Sequence, residues 1–328
     1  MRRQRRRLLS SALAALALPA FAQQRSNIPV VGVLSGRSRA AAIDTGIQAG
    51  FVQGMKELGW VEGRNIRYEW RFAAGGYSDL RRLADELVRL KVDVIVAEGT
   101  SAVGPARQAT STIPIVMATS SDPVGSGFVA SLARPGGNVT GLSSIAVEAT
   151  RKRVELLVTT LPGLSRLAAL VNPKNRGSKA FLREVESAAR LFNLRAVPLQ
   201  ASTTDEITAA FQLMNREKVQ AVIVPTDAFF ITQRGQIVDL AAKARLPAIY
   251  PTQEFFVSGG LMVYGVSVAQ MYRRSATYVH KILKGASPSE LPVEQPDALE
   301  LFVNLKTAQQ LGVTIPQTVL MRANEVVR

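Results

Sequence analysis

The chain of 328 residues has no cysteine and one histidine. The first absence excludes disulfides and thiolate chemistry, so buried apolar surface alone must stabilise the fold. The second removes most acid–base and soft-metal chemistry. No Cys/His cluster can hold zinc, and a Ser-His-Asp triad would have to use His280. That residue lies in "TYVHKILKG", at the end of a helical pattern where the helix dipole favours a cation. Also missing are a P-loop and a G-x-G-x-x-G turn. Gly125-x-Gly127 and "RPGGN" (Arg134–Asn138) read as turns rather than phosphate cradles. Nothing implies a cofactor or a metal. Hydrolysis by carboxylates alone would have to use Asp122, Asp227 and Glu254.

What is present begins with a basic leader. "MRRQRRR" is followed by the short apolar run "LLSSALAALAL" and by "AFA" at Ala20–Ala22. This is the pattern of an export signal (1–22) cleaved near Ala22. Arg5-Arg6-Arg7-Leu8-Leu9 also fits a twin-arginine signal loosely, so both export routes stay open. The apolar run is too short to span a bilayer as a helix. The leader holds five of the 40 basic residues and no acid, which leaves 35 basic against 25 acidic side chains. That surplus could attract nucleic acid or anionic lipid. It is scattered through helical segments with no basic arm, so neither a nucleic-acid partner nor a stable membrane anchor is expected.

Beyond the leader, apolar strands alternate with amphipathic helices. "IPVVGVLS", "VDVIVAEG", "IPIVMAT", "NVTGLS", "RLAALVNP", "VQAVIVPTD", "LPAIYP" and "LMVYG" read as strands; "NIRYEWRFA" and "LRAVPLQA" read as further ones. Between them, Ile43–Gly59, a Ser78-capped helix to Leu90, Ser101–Thr110, "VEATRKRVELLVTTLP", "KAFLREVESAARLFN", "TDEITAAFQLMN", "RGQIVDLAAKAR" and "YRRSATYVHKILKG" read as helices. "GSGFVASLA" is expected to begin another. Continuous β-branched strands mean parallel sheets covered on both faces, and two such runs mean an α/β protein of two doubly wound lobes.

Ligands of such sheets sit beyond the carboxyl ends of the strands. Those ends carry Ser35-Gly36, Gly99-Thr100-Ser101, Thr119 to Asp122, Asn172-Pro173, Thr226-Asp227 and Gln253-Glu254. Each group could equally be a helix cap or turn residue. Tyr250, Phe255, Phe256 and Tyr264 are either pocket lining or ordinary core.

The strings "FVQGMKELGWVEGRNI", "GGYSDLRRLADELVRLKVDVIVAEGT", "IPIVMATSSDPVGSGFVASLARPGGNVTGLS", "LPAIYPTQEFFVSGGLMVYG", "YRRSATYVHKILKGASPSELPVEQP" and "NLKTAQQLGVTIP" span nearly all of the exported chain. In them the chain resembles the ABC-transporter substrate-binding proteins related to tryptophan- and tyrosine-binding proteins. The resemblance implies a type I periplasmic binding fold, with two lobes joined by a three-segment hinge. Lobe 1 would hold 27–143 and 266–295, and lobe 2 would hold 144–265 and 296–328. "LSSIAV", "MVYGVS" and "EQPDAL" would be the crossings. It further implies a monomeric, non-enzymatic periplasmic protein that captures a small solute, an aromatic or branched amino acid first. The protein would deliver that solute to an ABC permease and its ATPase. Thr100, Ser101, Ser120 and Ser121 would grip a carboxylate. Asp227, or failing that Glu254, would meet an ammonium, although Asp227 also suits an N-cap. Ser35 and Tyr264 complete the candidate site. Two other readings are a ligand sensor for a membrane receptor and a hydrolase built on the cleft carboxylates.

Overall fold

The computed structural model describes residues 28–73, 76–296 and 299–328. The leader lies outside the described residues, as do two residues of the third expected crossing.

Two sheets carry the fold. The first contains β1 (Val30–Ser35), β2 (Arg67–Phe72), β3 (Val94–Ala97), β4 (Ile115–Ser120) and β5 (Val139–Ser143), in the order β2-β1-β3-β4-β5. All its pairings are parallel. The central strands β3 and β4 are wholly buried, as continuous apolar runs covered on both faces require, whereas the edge strand β2 is mostly half-buried. The second sheet contains β6 (Arg166–Val171), β7 (Arg195–Gln200), β8 (Ala221–Ile223), β9 (Ala248–Thr252), β10 (Met262–Val266), β11 (Glu300–Asn304) and β12 (Glu325–Val327). Its order is β12-β11-β10-β9-β8-β6-β7, parallel except where β10 meets β11.

Helices α1 (Arg39–Asp44), α2 (Ile47–Glu57), α3 (Leu80–Arg89) and α4 (Gly99–Ala109) follow strands of the first sheet. Helices α5 (Glu148–Thr160), α6 (Ser178–Leu191), α7 (Thr204–Arg216), α8 (Ala228–Thr232), α9 (Arg234–Lys243) and α10 (Gln253–Val257) belong with the second. Helix α11 (Val268–Leu283) follows β10 yet returns to the first sheet, while α12 (Leu305–Leu311) and α13 (Gln317–Leu320) follow β11. The return of α11 depends on bare backbone in α2. A Cβ on Gly50 would lie 2.4 Å from the Ala269 carbonyl oxygen, and one on Gly54 would lie 2.4 Å from that of Arg273. Glycines one turn apart therefore let the two helices touch through their main chains.

The connections between the sheets are bonded to one another. Leu142 and Glu294 form an isolated parallel bridge, with Ser143 N donating to Glu294 O at 2.8 Å. Arg153 of α5 is 1% exposed; its Nε donates to the Tyr264 carbonyl at 2.7 Å and its Nη1 to the Ala146 carbonyl at 3.0 Å. It thus ties the segment leaving the first sheet to the strand that leads back. Burial lowers its pKa to about 10.

Several local expectations need correction. The helix expected over Ile43–Gly59 is broken at Gly46, whose φ of 69° lies in the left-handed region. Ser78 does not cap α3: Tyr77–Asp79 is a 3-10 turn, and Asp79 stands at the cap without a side-chain bond. "GSGFVASLA" forms turns instead of a helix. Asp122 Oδ1 accepts from Gly125 N at 2.7 Å and Gly127 has a φ of +69°, which closes a compact turn. Helix α4 starts two residues earlier than expected, which puts Pro105 inside it.

Candidate functional site

The carboxyl ends of both sheets face each other across a cleft. A narrow cavity of about 20 Å³, room for one water, is lined by Arg37, Glu98, Gly99, Thr100, Ser101, Thr119 and Ser121 on one side, and by Asn175, Thr226, Asp227, Ala228 and Ile231 on the other, with Val268 between. Ser121, Asn175 and Thr226 also border an adjoining crevice of about 10 Å³ that runs toward Ala146 and Phe181.

On the first side, β3 runs into α4 through Gly99, whose φ of +66° permits the sharp entry of strand into helix. Glu98 stands at the N-cap but makes no capping bond with its side chain. It turns away instead: Ser35 Oγ donates to Glu98 Oε2, and Arg37 Nε pairs with Glu98 Oε1. The first turn of α4 is therefore without a side-chain cap, and its residues Gly99, Thr100 and Ser101 line the cavity, where the helix dipole favours an anion. Thr100 Oγ1 accepts from Ser121 N at 3.3 Å, which holds the two strand ends together.

On the second side, Asp227 is a hub. It is 2% exposed and caps α8, accepting from Phe230 N at 3.0 Å through Oδ1. Oδ2 accepts from Asn175 Nδ2 at 2.8 Å and from Tyr77 Oη at 2.9 Å, and Asn172 Nδ2 reaches both oxygens at 3.2–3.3 Å. Burial outweighs these bonds and raises the carboxyl above its ordinary value. Tyr77 comes from the first side, and its phenol oxygen also accepts from Phe229 N at 3.1 Å. One phenol thus bridges the cleft onto the cap of α8. Burial lifts its pKa well above the usual phenol value.

The candidates separate into three groups. Thr100, Ser101, Ser121 and Asp227 meet in the cavity. Ser35 and Ser120 are fully buried behind it; Ser35 orients Glu98, while the Ser120 hydroxyl has no partner among the described residues. Glu254 lines a separate rim depression with Asp44, Arg234 and Ser267. Tyr264 is placed away from the cavity, packed against the apolar core beside the second sheet. The other three aromatics are core as well: Tyr250 stacks on Phe255 at 4.7 Å, and Phe256 meets Phe302 at 5.3 Å. His280 lies near the end of α11 and accepts at Nδ1 from Trp60 Nε1 at 3.0 Å.

Arg37, Glu98, Tyr77 and Asn175 enter the site without having stood out in the sequence. The available signal was position, since Arg37 and Glu98 each adjoin a strand end already carrying a candidate. Close approach adds a further requirement. A Cβ on Gly36 would lie 2.9 Å from the Tyr77 ring and 3.2 Å from the Ala228 methyl across the cleft. Gly36→Val is expected to disfavour the closed form by about 1–3 kcal/mol, the usual range for overpacking. Small-angle scattering checks this: the variant should have a larger radius of gyration than the parent, and an unchanged radius would count against it.

Known proteins share this sequence pattern and this fold. A family model described as "ABC transporter substrate binding protein" matches residues 27–327. A tyrosine-binding protein of Clostridioides difficile is 28% identical over 265 residues, covering 80% of this chain and 76% of the relative. The structure of an ABC domain in complex with L-Trp from Streptococcus pneumonia superposes with a TM-score of 0.82 at 27% identity, covering 91% of this chain and 99% of that one. A conserved domain protein from Vibrio cholerae gives a TM-score of 0.85 at 28% identity, with the same coverage.

Proposed function

The chain belongs to the ABC transporter substrate-binding proteins, and on that premise we propose that it captures an amino acid between its lobes and delivers it to a membrane permease with an ATPase partner. We assign lobe 1 to 27–143 and 266–295 and lobe 2 to 144–265 and 296–328, with 1–22 an export signal and the exported chain a periplasmic monomer. The observation that carries the reading is the cleft itself. The open N-terminus of α4, with Thr100, Ser101 and Ser121, faces Asn175, Thr226 and Asp227 across a cavity at two sets of strand ends. Hydroxyls and helix amides suit a carboxylate. The relatives named for tyrosine and bound to L-Trp favour an aromatic amino acid.

Capture needs no turnover. The ligand selects the closed form by touching both lobes, and its differential contacts set the extent of the shift. Tyr77 adds a contact of the protein's own across the cleft. Tyr77→Phe removes a phenol hydroxyl bonded to Asp227 and Phe229 N, and should weaken ligand binding by about tenfold, in line with roughly 1–1.5 kcal/mol for a buried bond.

The primary test is calorimetric titration of the protein with the common amino acids, with product analysis of each ligand after incubation. Saturable binding of an unaltered amino acid is expected. A ligand returned chemically changed would favour the hydrolase reading. A receptor instead of a permease recovered with the protein after cross-linking in its native envelope would favour a sensor.

A further inference from the structure

Arg37 is 1% exposed and lines the cleft, and its Nη1 has no hydrogen-bond partner among the described residues. A buried guanidinium N–H without an acceptor is unfavourable, and native structures seldom keep one without a reason. Its neighbours show why it is held there. Glu98 engages Nε and is itself oriented by Ser35 Oγ, while Arg37 N donates to the same Ser35 oxygen at 3.1 Å. The side chain is therefore fixed at Nε, while Nη1 is buried without an acceptor. Burial would lower its pKa, but Glu98 and then Glu254 hold the guanidinium above its ordinary value, so it stays charged. Gly99, Thr100 and Ser101 of the first turn of α4 line the same cavity. A guanidinium flanked by the carboxylates of Glu98 and Glu254 and the first turn of α4 thus border one space.

We infer that Arg37 is the residue that recognises the ligand's carboxylate, through Nη1, together with the N-terminus of α4, and that Ser35 and Glu98 position it. Resting on the amino-acid reading of the cleft, the inference makes the ligand's carboxylate, met by Arg37, the group on which binding depends most. Asp227 enters differently: both its oxygens are already engaged by donors of the protein, so it is poorly placed to discriminate among ligands. A planar guanidinium fixed on one edge suits a carboxylate geometrically as well as by charge.

The test titrates the protein with L-tryptophan, L-tryptophanamide, tryptamine and indole-3-propionate, and with the corresponding tyrosine and leucine series. Acids should bind at least about 10- to 100-fold more tightly than their amides and amines, the range of a hydrogen bond to a charged group. Arg37→Met alone strands Glu98 in the interior, so the variant used is Arg37→Met with Glu98→Gln; circular dichroism verifies its fold. In it the acid and the amide should bind within about threefold of each other. The wild-type series needs no variant and keeps the test decisive even if the double variant fails to fold. An amide bound as tightly as its acid overturns the inference while leaving amino-acid capture standing. Arg37-dependent binding of indole-3-propionate without binding of any amino acid keeps the inference and rejects the amino-acid reading. Binding confined to compounds without a carboxylate, or no binding across the panel, rejects both.

Discussion

Gly265→Ala is expected to lower stability by more than about 4 kcal/mol, in the rare tail of single substitutions. A Cβ at Gly265 would lie 1.6 Å from the Pro251 carbonyl oxygen and 2.5 Å from its carbon. Both atoms are backbone, so no side-chain rotation relieves the clash. Pro251 lies in β9, buried throughout, and the β9–β10 register shifts between Val263 and Val266 as the chain heads back to the first sheet. The strands would have to separate next to Tyr264, whose carbonyl Arg153 holds. For a chain of this size a loss of that order lowers the melting temperature by roughly 10 °C. Gly235→Ala is the control: it lies in the first turn of α9 with nothing within 4 Å of a built Cβ, and should be neutral or stabilise by up to about 1 kcal/mol. Thermal melts of both variants decide the matter. Equal melting temperatures would mean that β9 and β10 yield more readily than their packing implies.

The Gly265 constraint was only half legible in the sequence. The resemblance puts Gly265 in the crossing "MVYGVS", but its close approach to Pro251 depends on strand pairing. The same division runs through the molecule. The apolar runs of β1, β3, β4, β6 and β9 announce themselves because parallel strands are buried on both faces. The terminal strands β11 and β12 were not read as strands at all; β12 has three residues at a sheet edge and little apolar periodicity. Within the site, Thr100, Ser121 and Asp227 could be nominated because strand ends are where ligands meet α/β sheets. Arg37 in "GRSRAAAID" looks like any loop cation, and Glu98 lies 61 residues away from it. Tyr77 reaches Asp227 across 150 residues and looked like a residue preceding a helix cap. These pairings arise from tertiary contact, which local pattern does not encode. The misread helix at "GSGFVASLA" shows the opposite failure, since there a local Asx turn overrode apolar spacing.

Asp227→Ala should cost about 3–5 kcal/mol, because it strands several buried donors at once. Asn172, Asn175, Tyr77 and Phe230 N all lose their acceptor, and α8 loses its cap. Denaturant unfolding should register the loss with little change in m-value. Reduced binding in this variant would therefore not identify Asp227 as the partner of a ligand ammonium, since closure through Tyr77 fails with it. Asp227→Asn separates the effects through pH. Burial raises the pKa of Asp227 despite its hydrogen bonds, so the folded chain holds this proton to higher pH than the unfolded chain. The stability this residue contributes is thus greatest below the unfolded aspartate value of about 3.9 and falls as pH rises through the higher folded value. Asparagine does not titrate there. Wild-type stability minus that of the Asn variant should decline from about pH 3.5 upward and level off above the folded value. A difference that rises with pH would mean that the four donors outweigh burial. Asp227 would then be a carboxylate held ionised by Asn172, Asn175, Phe230 N and Tyr77, and its contribution to stability would grow with pH.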